Sequence, residues 1–145
     1  MYVEKISEVT DEIYTAVRLL VPQLGANKTI PTRDEVHALV RSEAGTFLIA
    51  RYPDKDGVIA GILTLTVYRV PTGIRSIVED VIVDEKMRRR GIAEALMRYA
   101  IDLAREGGAD VMTLSSNHTR EAANQLYQSM GFQKRDTNSY IYKLR

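Results

Sequence analysis

The chain has 145 residues, 45% of them hydrophobic and 27% charged, with twenty basic side chains against nineteen acidic ones. That is one domain's length, and a net charge of +1 lacks the one-sided excess carried by nucleic-acid or membrane-surface binders. The absence of Cys excludes disulfides, thiolate zinc sites and a cysteine nucleophile, and two histidines, His37 and His118, are too few for a histidine-rich metal centre.

The first residues are charged from Glu4 and lack the apolar stretch of a secretory signal, and no apolar run reaches the ~18 residues of a membrane span. A soluble, cytoplasmic, single-domain chain over residues 1–145 is expected. Residues 2–9 alternate apolar and polar and read as a strand. Thr10 or Asp11 can cap a helix carrying Ile13, Val17 and Leu20 on one stripe, ended by Pro22. Residues 23–30 look like a loop. A second helix is expected over 32–44, with Thr32 and Glu35 spaced as a capping box and Val36, Leu39 and Val40 inward.

After Gly45 the period changes. Residues 46–52 and 58–70 read as strands around a Pro-Asp-Lys-Asp-Gly turn, and 74–84 as a strand apolar on both parities, hence buried on both faces. Residues 91–106 place Ile92, Leu96, Tyr99, Ala100 and Leu103 on one helical face, with Gly107 and Gly108 as a stop. A strand over 110–115, a helix over 119–130 and a terminal hairpin of 132–135 with 139–144 complete the chain. The order β-α-α-β-β-β-α-β-α-β-β predicts an α/β (α+β) fold. Its sheet is mixed but mostly antiparallel, with six to seven strands, about four flanking helices, and one β-α-β crossover through 91–106.

The chemistry-bearing stretch is VIVDEKMRRRGIA, residues 81–93: a buried strand, a short loop with three arginines, then Gly91 opening a long helix. Unpaired N–H groups and the positive end of the helix dipole favour an anion there. Gly91 permits a positive φ and close approach of a phosphate, while Arg88, Arg89 and Arg90 add charge. The second Gly and the Lys-Ser/Thr pair of a Walker A loop are missing. By itself the loop fits a solvated arginine patch as well as a phosphate site.

RRRGIA (88–93) resembles the Arg/Gln-x-x-Gly-x-Gly/Ala signature of the GNAT superfamily of N-acetyltransferases. REAANQLYQSMGF (120–132) resembles its second signature, a helix ending Leu-Tyr-x-x-x-Gly-Phe. The element order resembles the same fold over essentially the whole chain. The resemblance implies acetyl-coenzyme A as co-substrate, no metal, and a fold whose members commonly dimerise. It implies a bulge in the strand matching 79–83, which splays from the strand matching 110–115. The pantetheine arm would lie in that V against Val81 and Val83, with an N–H near Val81 or Ile82 as the oxyanion donor. Amides of Arg88, Arg89, Arg90, Gly91, Ile92 and Ala93 would hold the pyrophosphate.

Two positions depart from the family pattern: Arg89 stands where a Gly is usual, tolerable if its φ is negative, and Arg120 stands where an Asn often begins the last helix. Arg120, Asn124 and Tyr127 are spaced to share a helical face. Arg120 is expected near a cofactor phosphate and Asn124 near the pantetheine.

Acetyl transfer to an amine requires removal of a proton from an ammonium of pKa near ~10, and a proton for a leaving thiolate whose thiol has a pKa near ~8.5. Tyr127 matches the family tyrosine near the coenzyme A sulfur and is the expected acid; its alternative is a packing aromatic. Glu79 and Asp80 are the candidate bases. Alternation lets one of them face the cleft, with Glu79 favoured, and a structural pairing with Arg75 is the competing role. His118, His37 and the methionines read as surface or core. The 23–29 loop, the second helix and the 70–74 turn are expected to shape the acceptor site. A small-molecule primary amine is favoured as the acceptor. A peptide or protein amine, or a silent acyl-coenzyme A sensor, are the alternatives.

Overall fold

Capping fixes where the first two helices start. The Thr10 hydroxyl accepts from the Ile13 N–H (3.2 Å) and opens α1 (Asp11–Leu20). Thr32 and Glu35 exchange both bonds of a capping box and open α2 (Arg33–Arg41). Each cap contributes about 1 kcal/mol. Pro22 ends the α geometry of the first helix, and Val21–Leu24 continue as a single 3-10 turn.

The computed structural model describes residues 1–145, which form two packing units, Met1–Leu114 and Ser115–Arg145. In the first unit β1 (Tyr2–Lys5), β2 (Gly45–Tyr52), β3 (Val58–Val70), β4 (Gly73–Val83) and β5 (Val111–Thr113) lie side by side in chain order. All pairings are antiparallel except β4 with β5, which α3 (Ile92–Glu106) connects in parallel. This is the crossover that the sequence predicts, and five strands stand where six to seven are expected.

The sheet is covered on both faces. Ile13, Val17, Leu20 and Val36 from α1 and α2 pack with Phe47, Ile49, Ile62 and Ile82 in one core cluster. Alternation turns Leu48, Leu63 and Leu65 to the other face, which α3 covers with Leu96, Met97 and Ala100, all six inaccessible or nearly so. Burying each such aliphatic side chain stabilises the fold by roughly 1.5–3 kcal/mol. Gly61 sets how closely α3 lies on the sheet: a Cβ there would meet the Ile82 carbonyl at 3.0 Å, Leu96 at 3.1 Å and Ile92 at 3.2 Å.

The second unit contains α4 (Glu121–Ser129), closed by Met130 and a left-handed Gly131. The expected terminal hairpin is not formed. Beyond Phe132, whose N–H donates to Tyr127 (3.0 Å), residues 133–145 make no backbone ladder, and Tyr140, Ile141, Tyr142 and Leu144 are exposed. Their β-prone composition is only half of what a strand needs, since its stability comes from cross-strand partners that this segment lacks.

Candidate active site

The parallel pairing of β4 with β5 covers one end of β4 only. Arg75, Ser76 and Ile77 pair with Val111, Met112 and Thr113, and the ladder stops there. That end is pinned by side chains. The fully buried Ser76 hydroxyl donates to the Val111 carbonyl (2.8 Å). Asp110 donates its N–H to Ile74 (2.8 Å) and accepts the Ile74 N–H on its carboxylate (3.2 Å). From Val78 to Val83 the strand keeps β3 on one side and has no ladder partner on the other. The opening expected beside Val81, Ile82 and Val83 is therefore present within the first unit.

A bulge lies in the same stretch. Ile62 pairs with Ile82 and Thr64 with Glu79, so Leu63 faces two residues, Asp80 and Val81. Asp80 adopts the left-handed conformation that the extra residue needs (φ 52°). The bulge breaks strict alternation and brings Asp80 to the wall of a cavity of about 240 Å³ on the α1–α2 face. Glu79, register-paired with Thr64, is exposed and lies outside that lining. The sequence reading favours Glu79 for the cleft; the backbone gives the cavity wall to Asp80.

The rest of that wall includes Val17 and Val21 at the end of the first helix, Val36 and Leu39 on α2, Phe47 on β2, and Ile62 and Thr64 on β3, with Glu35 at the start of α2. Thr29 and Pro31 contribute from the connection between the helices, which the Tyr14 hydroxyl holds by donating to the Pro31 carbonyl (3.0 Å). Of the segments expected to shape the acceptor site, Thr29 and α2 line this cavity and the 70–74 turn does not. A second cavity of about 200 Å³, between the C-terminal half of α3 and β5, contains none of the candidate residues.

The anion loop follows β4. Its start is anchored, because Asp84 donates its N–H to Ala60 (2.8 Å) and Gln23 accepts the Glu85 N–H (2.9 Å). Gly91 is the N-cap of α3 and is left-handed (φ 76°), as the sequence requires, and a Cβ there would meet nothing nearer than 4.0 Å. Ala95 donates the first intrahelical bond, to Gly91 (3.1 Å), so the N–H groups of Gly91, Ile92, Ala93 and Glu94 precede it and have no partner in the chain. This cradle fits a diphosphate.

Arg88, Arg89 and Arg90 are all exposed. Arg90 lies over the Tyr52 ring, 5.2 Å from its centroid. Arg89 departs from expectation: its φ is 63°, not negative. A non-glycine residue in that region costs about 1–2 kcal/mol, so the turn needs the conformation a glycine would supply and the chain holds an arginine in it.

In the second unit, Tyr127 is buried and meets Phe132 edge-on at 5.9 Å. Burial raises its phenol above the ordinary tyrosine value, partly opposed by the charge of Arg120. Asn124 spends both amide hydrogens on the carbonyls of Asn117 (3.0 Å) and Arg120 (2.9 Å), which secures the start of α4 in place of a side-chain cap. Sequence reasoning passed over Ser116, whose shielded hydroxyl has no hydrogen-bond partner, and nothing in its pattern distinguishes it from a loop serine. No group of His, Asp and Glu is arranged to hold a metal ion, and no helix is long and apolar enough to cross a membrane.

An open-sided bulged strand running into a glycine-started helix is the arrangement expected over residues 79–93. The chain belongs to the acetyltransferase (GNAT) family, whose profile it matches over residues 13–132. Among curated proteins it is similar to human N-acetyltransferase 8, with 44% identity over 52 residues (36% of this chain, 23% of that protein). It also matches rat N-acetyltransferase family 8 member 2, with 34% identity over 92 residues (62% of this chain, 39% of that protein). The chain thus spans less than two-fifths of the length of these relatives. Among solved structures, a putative acetyltransferase from Agrobacterium tumefaciens superposes with a TM-score of 0.82 at 19% identity, covering 99% of this chain and 100% of the other. An aminoglycoside acetyltransferase from an uncultured soil metagenomic sample, solved with sisomicin, gives a TM-score of 0.82 at 18% identity over 99% and 96% of the two chains. At such identities the likeness is one of fold.

Proposed function

We propose that the protein transfers an acetyl group from acetyl-coenzyme A to a primary amine, both bound at once, with the amine attacking the thioester directly. The observation that carries this reading is the unpaired edge of β4 from Val78 to Val83, continuous with the free N–H groups at the start of α3. Amides from Arg88 to Ala93 hold the diphosphate, with Arg88 and Arg89 adding charge, and Val81 and Val83 pair with the pantetheine. Acetyl-coenzyme A supplies an activated carbonyl. An N–H of Val81 or Ile82 donates to the oxygen of that carbonyl as negative charge builds there.

Asp80, on the cavity wall, takes the proton that the ammonium must lose, directly or through a water, and Glu79 is the neighbouring alternative. The nitrogen–carbon bond forms and the carbon–sulfur bond breaks; the departing sulfur takes a proton from the phenol that the family resemblance assigns to it, Tyr127, and the second proton lost by the acylated nitrogen passes through solvent and restores that phenol. Its upward shift keeps that proton in place across the physiological range. The test is release of free coenzyme A from acetyl-coenzyme A over a panel of amines. Amine-dependent release supports transfer, while tight binding without turnover would make the chain a sensor.

A further inference from the structure

The cavity beside Asp80 has a chemical bias of its own. Its wall is mostly aliphatic and aromatic, with Val36, Leu39, Phe47 and Ile62 on three different elements. Its only ionisable residues are Glu35 and Asp80; no Lys, Arg or His lines it. Its polar remainder is two threonines, Thr29 and Thr64. Resting on the transferase reading, we infer that the acceptor is a primary amine on a compact apolar body, with no acidic group and few hydroxyls.

Three physical points lead there. First, about 150 Å³ of apolar cavity holds a benzene ring, so the 240 Å³ here accommodates a ring with a short alkyl arm. Second, a cation is drawn to Asp80, whereas a carboxylate on the same molecule would be held against the Asp80 carboxylate, with no Lys, Arg or His in the lining to receive it. An α-amino acid is therefore disfavoured against its decarboxylated counterpart. Third, each hydroxyl of an amino sugar left without a partner against Phe47, Leu39 and Ile62 would cost about 1–3 kcal/mol.

The amine is assigned to the Asp80 end because Asp80 lies on the strand whose open edge runs along Val81–Val83, and the apolar body lies against Phe47, Leu39 and Ile62. Asp80 is thus the specificity anchor as well as the proton acceptor.

The experiment compares phenethylamine, phenylalanine, glucosamine and a peptide N-terminus as acceptors, with coenzyme A binding measured in parallel by calorimetry. Phenethylamine is expected to exceed phenylalanine and glucosamine by at least ~tenfold in kcat/KM. It is also expected to bind the protein without acetyl-coenzyme A, and Asp80→Asn should weaken that binding. Normal coenzyme A binding with transfer to phenylalanine, glucosamine or the peptide in preference to phenethylamine overturns the inference alone; coenzyme A binding with transfer to none of the four overturns the transferase reading. Absence of coenzyme A binding overturns the transferase reading beneath it.

Discussion

The proposed chemistry converges most on Asp80. Its φ of 52° suits Asn nearly as well as Asp. Asp80→Asn is therefore expected to unfold at nearly the wild-type temperature while losing about 10²–10⁴-fold in turnover, the range for removal of an acid–base group. Thermal melts and steady-state kinetics on one preparation check both halves. Tyr127 gives a second residue-scale expectation, with a sign fixed by its burial. Its pKa is raised in the folded chain, so its contribution to stability is complete below the unfolded value and is lost as pH rises through the folded one. Tyr127→Phe should then resist alkaline unfolding above pH ~10 better than wild type while acetylating more slowly. Had the phenol only a packing role, the rate would stay unchanged. Both residues stand out in the sequence as candidates, from a carboxylate pair on an apolar strand and a Leu-Tyr-x-x-x-Gly-Phe helix end. Which carboxylate faces the cavity was not legible there, because a bulge shifts parity by one and no residue pattern around Glu79 and Asp80 announces where the extra residue falls.

At the scale of elements, the site depends on two close fits. Gly61 lets the first turn of α3 rest on β3, and a methyl there presses on Ile92, Leu96 and the Ile82 carbonyl at 3.0–3.2 Å. Gly61→Ala is expected to cost about 1–3 kcal/mol and to weaken coenzyme A binding, since it displaces the helix end that offers the free N–H groups. Ser76 staples β4 to β5 where their ladder is anchored, and Ser76→Ala leaves the Val111 carbonyl without that donor. A loss of about 1–3 kcal/mol is expected, read from denaturant midpoints. The helices were readable from caps and periodicity: Thr10, the Thr32–Glu35 box and the Gly91 start all lie where the residues placed them. The last hairpin was not, since Tyr140, Ile141 and Tyr142 have strand propensity but no ladder partner.

For the molecule as a whole, the order of elements followed from the change of period at Gly45 and from the glycines that bracket α3. What joins distant segments was invisible in it. Arg51 is such a joint: its guanidinium binds Glu12 on α1 (2.7 Å), Glu4 on β1 (3.4 Å) and the Gly57 carbonyl (3.1 Å). The hydrogen bond from Arg51 holds Glu12 below the ordinary glutamate range, against a smaller opposing effect of burial. A depressed carboxylate adds stability above its unfolded pKa of ~4.3 and loses it as pH falls through the folded value. Wild type and Arg51→Met should therefore differ at neutral pH by about 1 kcal/mol, and their melting temperatures should converge as the solution is acidified below pH ~4.

The grip on the coenzyme's diphosphate by the backbone around Gly91 is tested most directly by titrating the purified protein with coenzyme A and with pantetheine, which lacks the diphosphate. Coenzyme A should bind one-to-one and at least ~tenfold more tightly, a difference of ~1.4 kcal/mol. Equal affinity for the two, or no affinity for coenzyme A, would contradict it.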